Sequence, residues 1–157
     1  METAQIDYIE ARVKELVAFK LETMELLNKR AHLLITLQLG SGGALATFAA
    51  GLIDKSAPYW LVTGVVAGAL MLLVTASVGA RLCLFTEPVL PPGNEPKNLM
   101  TLDKELAALR LGELAAVQKR LEQWSDRNAR IGAALNGLYI ATAAIPLLAI
   151  VLAVAVR

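Results

Sequence analysis

Hydrophobic positions run without a charged residue through three long stretches, residues 31–53, 56–80 and 131–156, bracketed by Arg30, Asp54, Lys55, Arg81, Arg130 and Arg157. A hydrocarbon layer of roughly 30 Å needs an apolar helix of about 20 residues, and a helix in a soluble core seldom goes so far without a charge. The pattern predicts an all-α membrane protein with three transmembrane helices. The remainder divides into an amphipathic arm (residues 1–30), a Pro-rich loop (81–101) and a second polar helix (102–130).

The arm steps by three and four through Ile6, Ile9, Val13, Leu16, Val17, Leu21, Met24 and Leu27, with Glu10–Lys14 and Glu25–Lys29 as charge pairs one turn apart. With no proline or glycine before Gly40, it is expected to run unbroken into the first span. The competing reading, an interfacial helix lying on anionic lipid, is disfavoured because its acidic residues outnumber its basic ones. After the second span, Pro88, Pro91, Pro92, Gly93 and Pro96 exclude a continuous helix. Thr101 is placed as an N-cap, with Asp103 and Glu105 suited to the helix dipole. The helix that follows carries a heptad seam, Leu114, Val117, Leu121, Trp124, Asn128 and Ile131. Both polar helices lead into spans at their C-terminal ends and so are expected to run parallel, as a stalk continuous with spans one and three. Two helices make a thin core, which predicts a homo-oligomer sharing seams between copies. Asn128 either fixes the register of that assembly or faces water near the lipid headgroups.

Charge sets the orientation. The chain is 56% hydrophobic and 18% charged, and its net charge of +1 conceals a lopsided distribution. Arg12, Lys14, Lys20, Lys29 and Arg30 lie in the arm and eight more basic residues lie between Arg81 and Arg130, whereas Lys55 and Arg157 are alone on the other side. The positive-inside rule then puts the N-terminus and the middle segment in the cytoplasm and the C-terminus outside. A cleavable signal peptide is not expected, because charges run through the first 30 residues. Cys83, the one cysteine, is either a palmitoylation site at the inner end of span two or a buried free thiol.

Within the spans the signal is close packing. Gly64 and Gly68 form a GxxxG pair; Gly40 with Ala44, Gly43 with Thr47 and Gly51, and Gly137 between Ala133 and Ala141 repeat the same spacing. Gln38 and Asn136 are the most polar side chains there. Counted from Arg30 and Arg130 they lie roughly 12 and 9 Å inward and are placed to meet, either as structural glue or as the polar lining of a transient pore. Pro146 should kink span three by removing the bond to the Thr142 carbonyl. His32 falls at the inner boundary, where a headgroup contact is the simplest role.

Catalytic chemistry has no visible home. One histidine, one cysteine and carboxylates scattered along amphipathic helices do not converge on a nucleophile–base pair or a metal site, so neither enzymatic activity nor a cofactor is expected. The basic residues of the second polar helix alternate with acids, which argues against nucleic-acid binding.

The arm ending in "LLNKRAHLLITLQLGSGGALATFAAGL", the loop "TEPVLPPGNEPKNLM" and the helix "LAAVQKRLEQWSDRNARIGAALNGLY" entering a last span resemble, in layout, the small multi-span effectors of bacterial nucleotide-signalled anti-phage defence, of the Pycsar transmembrane and SLATT type. The HD or nucleotide-processing domains that accompany such spans are not in this sequence. The resemblance implies a protein of the bacterial inner membrane that stays quiet until a cyclic nucleotide or a cytoplasmic protein changes its oligomeric state, and then perturbs the lipid bilayer. The alternative is a scaffold or accessory subunit of a larger membrane complex.

Overall fold

A computed structural model describes residues 3–84 and 106–157, and within them the chain is all helix. Helix α1 spans Thr3–Asp54, α2 spans Tyr59–Gly79, a π-helical turn occupies Ala80–Leu84, and α3 spans Leu106–Ala155. Each of the three helices is long and apolar enough to cross a membrane. The Pro-rich loop and the Thr101 cap lie outside the described residues.

Helix α1 is unbroken over 52 residues, as its proline-free sequence requires. It stops in a Schellman arrangement: the Ala57 amide donates to the Leu52 carbonyl and the Ser56 amide to Ile53, both at 3.0 Å, with Ser56 at φ 51°. Serine holds the left-handed position usually given to glycine. Pro58 then opens α2, its carbonyl accepting from Leu61 and Val62. At its far end α2 continues as the π turn past Arg81 to Leu84, because Cys83 is drawn into the core described below.

The chain divides into two compact units. One comprises Met1–Leu26 and Glu87–Arg130. In it α1 and α3 pair side by side in parallel: Arg110 meets Asp7 and Glu10, Lys20 meets Ser125, and Met24 meets Arg127. Ile6, Leu121, Trp124 and Asn128 are buried along this seam, while Leu114 and Val117 are half-buried. Two helices cannot enclose an apolar seam. An open groove of about 530 Å³ remains, floored by Val13, Val17, Leu21, Leu114 and Val117.

The other unit comprises Leu27–Thr86 and Ile131–Arg157. Ala31, Leu34, Cys83, Ile131, Leu135 and Leu138 form its core, with Leu27, Leu84 and Ala134 packed against it. The Cys83 thiol, 1% exposed, is sealed among these side chains. Of the two readings of Cys83, this burial accords with the buried free thiol.

Candidate functional site: a buried amide beside a softened helix

The polar centre of the second unit is Gln38, 1% exposed among apolar side chains. Its Nε2 donates to Thr142 Oγ1 at 2.6 Å, and the Thr142 hydroxyl donates in turn to the Leu138 carbonyl at 2.7 Å. Gln38 Oε1 is buried and accepts no hydrogen bond. A buried acceptor left unpaired costs about 1–3 kcal/mol.

Thr142 links this amide to the weakest stretch of α3. Its hydroxyl bonds back onto the carbonyl four residues earlier, a geometry that bends helices. Four residues later comes Pro146, which has no amide proton to offer the Thr142 carbonyl. Residues 138–146 therefore contain a helix with one main-chain bond missing and one carbonyl shared, held laterally by Gln38. Alongside runs an open apolar groove of about 510 Å³, with Ser41, Thr142 and Pro146 on its wall and Gly64 and Gly68 on its floor.

The glycines separate into two groups. A Cβ on Gly64 would lie 2.8 Å from Ala153 Cβ and 3.3 Å from the Ala149 carbonyl, and one on Gly68 would lie 3.6 Å from Ala149 Cβ. Both sit where α2 and α3 approach within one chain. Gly42 and Gly79, which the four-residue stripes do not single out, are equally tight, against Leu73 and Leu138 respectively. Gly40, Gly43, Gly51 and Gly137 have nothing within 4 Å of the added carbon. The expected meeting of Gln38 with Asn136 does not occur, and Asn136 is exposed. Counting from Arg30 and Arg130 assumes an offset of 100 residues between the helices, whereas Gln38 and Thr142 are 104 apart. That places Asn136 six residues, about 9 Å, short of the level of Gln38's partner.

The chain matches no family model, no curated protein and no solved structure. Its chemistry has to be read from its own side chains.

In the first unit the electrostatic feature is Arg110. Its Nε and Nη2 bond both Glu10 carboxylate oxygens at 2.6 and 2.9 Å, and Nη2 also reaches Asp7. The hydrogen bond from Arg110 holds the Glu10 carboxyl below its usual range, and the same contact raises the guanidinium. Lys20 Nζ donates to Ser125 Oγ at 3.0 Å, and Asn128 Nδ2 donates to the Lys20 carbonyl at 3.3 Å, so the seam asparagine faces α1 rather than water. Its Oδ1, like Gln38 Oε1, is buried without a partner. Thr142 is the residue that reasoning from polarity missed. Its position one turn before Pro146 was the available signal, since a hydroxyl there bonds back onto the preceding turn of an already interrupted helix.

Proposed function

We propose that this chain is a multi-pass inner-membrane protein that acts without catalysis, as an oligomeric effector whose spans perturb the bilayer when a ligand or a protein partner engages its cytoplasmic helices. The observation that carries this is covalent continuity. Helices α1 and α3 each run unbroken from a charged amphipathic segment into an apolar one. A bias applied to the polar part of either helix meets no loop before the apolar part. The stretch from Leu138 to Pro146, with its missing main-chain bond and the under-satisfied Gln38 amide, is the element such a bias would rearrange. At the other end the Arg157 guanidinium lies 5.9 Å from the Trp60 ring, an aromatic and basic pair of the kind that anchors helices at a lipid boundary on either face.

Inducible expression in bacteria with a membrane-potential dye tests this. Depolarisation that depends on an activating signal, and that Gln38→Leu abolishes, is expected; growth arrest without depolarisation, or leakage undiminished in Gln38→Leu, overturns the gated-pore form of the proposal.

The second reading, a scaffold holding a larger membrane complex, is favoured by the open glycines Gly40, Gly43, Gly51 and Gly137, which offer close approach to other helices. Stoichiometric co-purification of one other membrane protein, with no depolarisation, would select it.

A further inference from the structure

Helix α1 has a second apolar seam that α3 does not use. Counting in sevens, Leu16 and Leu37 fall at one position of the repeat, and Phe19, Leu26 and Leu33 fall three residues further on. All five are 48–62% exposed. The residues that α1 buries, among them Ile6, Ala31, Leu34 and Gln38, occupy other positions of the same repeat. Beyond Leu37 the repeat continues in phase but changes character, to Gly40, Ala44, Thr47 and Gly51, again with Gly40 and Gly51 open. Large side chains persist through Leu33 and Leu37, within the charge-free stretch, and small ones take over from Gly40 inward. In water a seam needs apolar bulk, whereas in lipid helices associate by close backbone approach through small residues.

We infer that this seam pairs with the same seam of a second copy, in parallel and in register. The inference rests on the reading of α1 as a membrane span, which gives every copy one orientation and one depth. An identical partner then brings bulk against bulk below Gly40 and small against small above it. Glu15 precedes the seam at Leu16 and Lys20 follows it at Phe19, the flanking positions, five residues apart, at which one strand's acid meets its neighbour's base in a parallel coil, and pairing there exchanges Glu15's exposed contact with Arg12 and shares Lys20 with Ser125. The five large side chains alone bury on the order of 1,000 Å² across a pair, from water at Leu16, Phe19 and Leu26 and from lipid at Leu33 and Leu37, which reaches the lower bound for a specific interface. Arg30, which falls within the seam where the apolar stretch begins, is long enough to carry its guanidinium out to the headgroups.

Single-cysteine cross-linking in native membranes tests the pairing. Cys83 is the one native cysteine and is 1% exposed, so the unmodified chain supplies the baseline. Leu26→Cys and Leu33→Cys are expected to give disulfide-linked dimers on mild oxidation, while Ala11→Cys and Ala18→Cys stay monomeric, and Gly40→Leu added to Leu26→Cys lowers the yield several-fold. Both controls are exposed, and Ala18 lines the groove between α1 and α3, so cross-linking strongest at Ala18 would move the contact to that groove and overturn the inference. Absence of dimers at every position, in protein that resists carbonate extraction, overturns it while leaving the membrane reading intact. Release of the protein by carbonate would instead sink the membrane reading and the shared orientation with it.

Discussion

Alanine placed at Gly64 and at Gly137 should move stability in opposite directions. At Gly64 the new methyl meets Ala153 Cβ at 2.8 Å and the Ala149 carbonyl at 3.3 Å. Neither atom is the end of a flexible side chain, so α2 and α3 must separate by several tenths of an ångström. Overpacking of this kind costs about 1–3 kcal/mol, offset by about 1 kcal/mol from the better helix propensity of alanine. At Gly137 the methyl has nothing within 4 Å and only the propensity gain remains. The two variants should therefore differ by about 1–3 kcal/mol, which for a chain of this size is a gap of roughly 3–10 °C in unfolding midpoint. Thermal unfolding of detergent-solubilised protein carrying Trp124→Phe, followed by the fluorescence of Trp60 in the groove beside Gly64, reads that gap directly. If Gly137→Ala lowered the midpoint as much as Gly64→Ala, the assignment of the tight contacts to α2 and α3 of one chain would be wrong.

Gln38→Leu removes a hydrogen bond of about 1 kcal/mol together with an unpaired buried oxygen costing about as much or more, so the unfolding midpoint should hold or rise; a fall of several degrees would mean the amide is better satisfied than its geometry indicates. Ser56→Gly relieves a left-handed serine at the end of α1 and should add about 1 kcal/mol, seen as a higher midpoint in the same assay. Glu10 has its folded-state pKa lowered by Arg110, so its contribution is fully present above the ordinary value of 4.5 and is lost as pH falls below that through the lowered value. Arg110→Gln should flatten the decline in stability as pH falls below 4.5, and an unchanged acid limb would remove the ion pair from the account.

The three apolar helices are legible because length without charge is a strong signal, and each of the charge-free stretches overlaps one of them over nearly its whole length. Partner choice is not. Gly42 and Gly43 are neighbours in sequence, yet a turn of about 100° around the helix axis sets Gly42 against Leu73 and leaves Gly43 open. A four-residue stripe of small residues gives spacing along a helix and says nothing of which side a second helix takes. Gln38 shows the same limit along the axis: its depth is readable, but a four-residue difference in register moves its level on α3 from Leu138, two residues from Asn136, to Thr142. The π turn is hidden for another reason. It keeps Cys83 inside the core after the charge at Arg81, and a charge ordinarily marks where a span ends.

The separation of about 104 residues between Gln38 and Thr142 also has a consequence for how the protein is made. Synthesis runs from the N-terminus at about 5–20 residues per second, so α1 leaves the ribosome roughly 5–20 s before the part of α3 that completes its buried face. Throughout that interval both apolar seams of α1 are vacant, and on a polysome neighbouring nascent chains carry the same helix at high local concentration. Order of synthesis therefore favours α1 meeting α1 before α1 meets α3, so that a copy is committed to its neighbour before its own fold is closed.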